Sequence, residues 1–173
     1  MKKVLIVVDM QKDFIGGSLG TEEAKAIVPN VREKIEEYRN NGDVVLFTRD
    51  THYENYLETQ EGRNLPVEHC IKGTSGWEIE NTLVKENDII VDKRTFGYDG
   101  WKEIFRKYHL DDVDSIELIG LCTDICVVSN ALILKAMYPE TKMIVDSNCC
   151  AGVTLESHNA ALATMKMCQI SVV

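Results

Sequence analysis

Apolar residues along the chain fall in short runs separated by amphipathic stretches, the alternation expected of a mainly parallel sheet flanked by helices. Six runs predict strands: Val4 to Val8, Val44 to Phe47, Asp88 to Val91, Ser115 to Ile119, Lys142 to Val145 and Gln169 to Val173. Helical spacing marks four stretches between them: VREKIEEYRNNG, stopped by Gly42, then GWKEIFRKYHL, DICVVSNALILKAMYP and ESHNAALATMKMC. Strands that are apolar throughout need helices over both faces of their sheet. The expected class is α/β, a three-layer α/β/α arrangement around six mainly parallel strands.

Composition narrows the partners more than the fold. A chain of 173 residues with 45% hydrophobic residues and three prolines reads as one domain over residues 1–173. A formal charge of −9 opposes polyanions and anionic membranes, so nucleic acid is excluded as a partner. No apolar stretch approaches the roughly 20 residues that cross a bilayer, and MKKVLIVVDMQKDF meets Asp9 too early for a leader peptide, so it reads as a first strand. Six cysteines without the spacing of a small disulfide framework point to reduced thiols in the cytoplasm.

The segment from Asp50 to Gly76 breaks the alternation and carries His52 and His69. Long irregular segments in compact domains are uncommon and often functional. In open parallel sheets, ligands bind beyond the carboxyl ends of the strands. Asp9, Asp50 with His52, Lys93, and Gly120 followed by LCTDIC all fall at such ends. Cys126 then lies where a strand runs into a helix, in a first turn whose free N–H groups favour a thiolate. The other reading of this stretch is a small buried core cysteine. Asp9 as a base and Lys93 as a balancing cation would make it a nucleophile. Asp50, His52 and His69 offer a carboxylate and two imidazoles for a divalent metal, zinc first, with manganese or iron as alternatives.

Other cysteines and histidines have plainer readings. Cys122 and Cys126, four residues apart, share a helix face, but helix geometry holds such thiols too far apart for an unstrained bridge. Cys149 and Cys150 follow the fifth strand and are expected to pack, and His158 is expected to cap the last helix or meet a second subunit.

The segments VDMQKDF, VDKRTF and GLCTDICV resemble the signatures of the isochorismatase-like cysteine hydrolases, and RDTH with LPVEHCIKGTSG resembles the metal-binding segments of the nicotinamidase branch. The resemblance covers essentially the whole chain. It implies a catalytic triad of Asp9, Lys93 and Cys126, an oxyanion hole from the amides of Cys122 and Cys126, and a cis peptide between Leu121 and Cys122. It also implies a metal held by Asp50, His52 and His69, with Glu61 as a further ligand, and a chain that associates into homo-oligomers.

The implied reaction converts nicotinamide to nicotinic acid and ammonia through a cysteine thioester, a step of NAD salvage. Leu65 stands where many nicotinamidases place an aromatic residue against the pyridine ring, leaving Phe14 and Tyr98 as candidate aromatic walls. Two other readings compete. One is a metal-free relative acting on another amide, a carbamoyl compound or a vinyl ether, and the other is a binding protein without catalysis.

Overall fold

The computed structural model describes residues 2–173. Six strands form one sheet: β1 (Lys3–Val8), β2 (Val44–Asp50), β3 (Ile89–Lys93), β4 (Ser115–Leu121), β5 (Lys142–Ala151) and β6 (Ser171–Val172). Their order across the sheet is β3-β2-β1-β4-β5-β6, and every pairing is parallel. The helices are α1 (Lys12–Ile15), α2 (Glu22–Asn40), α3 (Gln60–Asn64), α4 (Trp101–Lys107), α5 (Val128–Met137) and α6 (Leu155–Met167).

Alternate side chains of β1 feed two separate cores. Val4, Ile6 and Val8 pack under α4, α5 and α6, with Trp101, Phe105, Leu134 and Met165 among the buried partners. Leu5 and Val7 pack on the other face under α1 and α2, with Ile15, Ile27, Val31 and Ile35. This is the expected three-layer α/β/α arrangement, and it explains why the central strands are apolar at every position. Each buried aliphatic side chain contributes about 1.5–3 kcal/mol to such a core.

Several boundaries differ from those read in the sequence. Helix α2 begins at Glu22 and carries Pro29 within it, because the Thr21 side chain caps its start and Ala24 and Ile27 extend the buried face upstream. Strand β5 runs on to Ala151, so Cys149 and Cys150 lie in the strand rather than after it, each buried in a different core. His158 does not cap α6. Thr154 does, through a reciprocal box with Ser157.

The strand order reverses direction between β1 and β4, which opens a crevice at their carboxyl ends. Here the two strands approach closely at Gly120, whose φ is 115°. A Cβ at that position would stand 2.1 Å from the Val8 carbonyl oxygen, so only glycine allows the chain to pass.

Candidate active site and metal centre

Four strand ends deliver their side chains to this crevice. Asp9 leaves β1 with φ 47°, a left-handed turn that an aspartate tolerates better than most residues. Lys93 ends β3, and its Nζ lies 2.6 Å from Asp9 Oδ2, 3.4 Å from Asp50 Oδ1 and 3.4 Å from Cys126 Sγ. The Lys93 side chain is entirely buried. Thr48 of β2 donates to Asp9 Oδ1 at 2.6 Å and accepts from the Asp9 N–H, fixing the carboxylate from the other side. Asp9 also lies within hydrogen-bonding reach of the Cys126 thiol.

Cys126 sits in a π turn, Thr123–Val127, that precedes α5, rather than in the first turn of the α-helix itself. The peptide bond between Leu121 and Cys122 is cis. Burial pushes the Cys126 thiol well above its ordinary pKa, against the pull of the Lys93 ammonium. Burial also raises the pKa of Asp9, with Lys93 opposing it. For Lys93 burial works against the charge, but Asp9, Cys126 and Asp50 around it raise its pKa overall.

Asp50, His52, Glu61 and His69 converge so that one ligand atom from each lies within 4.8 Å of the others. Local structure explains how the loop achieves this. His52 pairs with Ile71 in a parallel bridge, its N–H donating to the Cys70 carbonyl at 3.0 Å, which lays the His69 segment beside the end of β2. Thr59 caps α3 and places Glu61 in its first turn. His52 Nε2 lies 2.8 Å from Asp50 Oδ2 and 3.5 Å from Glu61 Oε1. His69 Nε2 lies 3.6 Å from Asp50 Oδ2, while its Nδ1 is 2.8 Å from the Val67 carbonyl.

That outer contact orients the His69 ring with its second nitrogen toward the cluster, as metal-ligating histidines are commonly held. Burial disfavours the Asp50 charge, but His52, His69 and Lys93 keep its pKa well below the usual carboxylate range. Two imidazoles and two carboxylates, convergent and all buried except the partly exposed Glu61, suit a divalent metal of the zinc, manganese or iron class.

A cavity of about 330 Å³ joins the two clusters, reaching Cys122 and Cys126 on one side and Asp50, Glu61 and His69 on the other. Its walls are apolar, with Phe14, Leu65, Phe96 and Ile125 among them. Tyr98 does not line it. Its ring packs edge-on against Trp101, 5.3 Å between centroids, in the core under α4. The second aromatic wall is Phe96, which lies two residues earlier on the same loop and is half-exposed.

Two further residues escaped the sequence reading because their roles depend on backbone groups far away in the chain. Gln11 is fully buried, accepts from the Asp50 N–H and donates to the carbonyls of Asp50 and Trp77, which pins the Asp50 backbone to the irregular loop. Asn130 of α5 donates to the carbonyls of Cys126 and Phe96 and accepts from the Tyr98 N–H and the Trp101 indole. It ties the turn that carries Cys126 to the loop that carries Phe96.

Comparison with known proteins bears on the whole chain. The nicotinamidase/pyrazinamidase of Mycobacterium tuberculosis is 26% identical, across 99% of this chain and 98% of that protein. The pyrazinamidase of Pyrococcus horikoshii in complex with zinc superposes with a TM-score of 0.85 at 29% identity, covering 100% of this chain and 99% of that one. The N-carbamoylsarcosine amidase of Thermoplasma acidophilum gives 0.81 at 29% identity, covering 99% and 95%. A family model, the Isochorismatase domain, matches residues 3–173, and the chain therefore belongs to the isochorismatase family.

Proposed function

We propose that the chain is a nicotinamidase, a hydrolase that converts nicotinamide to nicotinic acid and ammonia and so serves NAD salvage. The observation that carries this reading is an apolar cavity lined by Cys126 of the Cys126–Lys93–Asp9 cluster and by Asp50, Glu61 and His69 of the adjoining four-residue cluster that could hold a metal. Its volume and apolar walls suit an aromatic carboxamide whose amide meets the thiol while its ring lies between Phe14 and Phe96. The relatives named as nicotinamidase or pyrazinamidase support the same substrate class. Six unpaired cysteines suit the reducing cytoplasm.

The mechanism follows from the geometry of the cluster. Asp9, held by Lys93 and within reach of the Cys126 thiol, takes the thiol proton as sulfur attacks the amide carbon. The developing oxyanion accepts hydrogen bonds from the backbone amides of Cys122 and Cys126. Asp9 passes the proton to the leaving nitrogen, the C–N bond breaks, ammonia departs, and an acyl thioester remains on Cys126. Water, deprotonated by Asp9, then cleaves the thioester to the acid and restores the thiol. Asp50, His52, His69 and Glu61 would hold the metal, which supplies a Lewis-acid anchor for a ring nitrogen when bound. Phe14 and Phe96 confine the ring and exclude water around it.

The test is ammonia release from nicotinamide, pyrazinamide, benzamide and an N-carbamoyl amine by zinc-loaded protein. Preference for the two ring-nitrogen amides over benzamide is the expected result. Equal turnover of benzamide, or turnover of the carbamoyl compound alone, would refute it in favour of a different amide substrate.

A further inference from the structure

The nucleophile turn is tied down by the segment that follows β5, whose Gly152 and Val153 also line the cavity, and by α6. Asp124 accepts from the Val153 N–H at 3.1 and 3.2 Å and from the Ser157 hydroxyl. Thr123 is fully buried, and its hydroxyl lies 2.8 Å from Nδ1 of His158 on α6. Gly152 permits this approach, since a Cβ there would stand 2.8 Å from the His158 Cβ and 3.0 Å from its Cα. His158 itself borders a separate groove between α2 and α6, so solvent reaches it without passing the cavity over Cys126.

The chemistry of this contact is asymmetric. Among the described residues, His158 is the side-chain hydrogen-bond partner of the Thr123 hydroxyl. A neutral imidazole with Nδ1 unprotonated takes the hydroxyl hydrogen. An imidazolium would point an N–H at the same oxygen and leave the buried hydroxyl hydrogen without an acceptor.

We propose that His158, neutral and accepting through Nδ1, is a positioning residue that holds the nucleophile turn through Thr123, so that amide hydrolysis slows when its imidazole is protonated. This rests on the reading of Cys126 as the nucleophile of an amide hydrolase. The titratable groups facing His158 are Asp124 from the π turn, Glu23 from α2 across the groove, and the Cys150 thiol from β5. Burial disfavours the imidazolium and Asp124 favours it; burial prevails, so the pKa falls below the ordinary histidine value of about 6.5. The hold on the turn is therefore complete at neutral pH and is lost as the pH falls through that lowered value.

The experiment compares wild type, His158→Ala and His158→Asn, all zinc-loaded, by kcat and KM for nicotinamide between about pH 5 and pH 8. It adds a nitrogen-15 titration of the histidine rings, in which His158 is assigned by its absence from the Asn variant. His158→Ala lowers kcat by about tenfold with little change in KM, as expected for a slightly misplaced nucleophile. His158→Asn, whose Oδ1 accepts the Thr123 hydrogen without titrating, recovers most of kcat and loses the acid limb that tracks His158. The wild-type ring shows an unprotonated Nδ1 at neutral pH. An Ala variant with unchanged kcat and pH profile, or a wild-type His158 that carries its proton on Nδ1, overturns the proposal. If the wild type hydrolyses none of the amides, the nicotinamidase reading fails instead, and the ring titration still decides whether Nδ1 accepts from Thr123.

Discussion

The molecule contains two clusters of nearly the same composition. In one, Lys93 lies between Asp9 and Asp50 beside the thiol of Cys126. In the other, Lys34 of α2 lies 3.2 Å from Glu117 of β4 and 3.0 Å from Asp146 of β5, and the Cys149 thiol contacts Asp146. Tyr38 completes the second cluster by donating to Glu117 at 2.6 Å. Burial raises both thiols, Cys149 to about 12, with a lysine opposing the shift in each case.

The difference lies in their position in the fold. The first cluster sits at the carboxyl ends of the strands, where loops part to leave a cavity over the sulfur. The second lies under α2 against the middle of the sheet, with Glu117 and Asp146 paired across to the helix. A thiol, a carboxylate and an ammonium thus make a nucleophile only where a substrate carbon can reach the sulfur. Elsewhere the same groups fasten a helix to a sheet.

Substitution of the two sulfurs tests this contrast most sharply. Cys126→Ala is expected to lower ammonia release from nicotinamide by at least about 10³-fold, while Cys149→Ala leaves it within about twofold. Comparable losses in both variants would erase the distinction between site and fastening.

The two lysines should separate stability from activity. Lys93→Met leaves Asp9 and Asp50 buried without their cation, and urea unfolding should show a loss of about 3–5 kcal/mol together with loss of turnover. The Lys34 side chain is 20% exposed, so water partly replaces it. Lys34→Met should lose only about 1–2 kcal/mol and keep kcat. Equal destabilisation would mean that the position of a buried ion pair matters less than its composition.

Metal dependence is expected of one cluster alone. Chelator treatment should reduce turnover by about tenfold or more, with recovery on adding zinc, and His52→Ala should lower the metal content of the purified protein by a comparable factor. Elemental analysis beside the ammonia assay checks both; full activity in metal-free protein would remove the metal from the site. The smallest effect concerns the cavity wall. Leu65→Phe should lower KM for nicotinamide by roughly two- to tenfold, the equivalent of the ~0.5–1.5 kcal/mol that aromatic stacking adds. An unchanged KM would place the substrate ring away from Leu65.

Much of the architecture was legible in the sequence because it depends on local periodicity. The continuous apolar runs of β1, β2 and β4 announced a sheet covered on both faces, and the strand-end positions of Asp9, Asp50 and Lys93 announced a common edge. Boundaries failed where tertiary burial overrode a local signal. Helix α2 runs through Pro29 because its face from Ala24 to Tyr38 is buried, and β5 runs through Asn148 because Cys149, Cys150 and Ala151 are buried.

Within the site, the same division holds. The sequence alone placed Asp9, Lys93, Cys126, Asp50 and His52 at one end of a parallel sheet, since strand direction and connection order already put those positions on the same edge, whereas His69 lay in the irregular segment and is brought beside His52 by the bridge to Ile71. It could not choose Phe96 over Tyr98, because which ring of a loop faces a cavity is settled by packing, here the docking of Tyr98 on Trp101. Nor could it assign Gln11, Asn130 and His158, whose partners lie 39, 34 and 35 positions away. Such contacts leave no periodic trace in a sequence, and only the folded chain brings their donors and acceptors within reach.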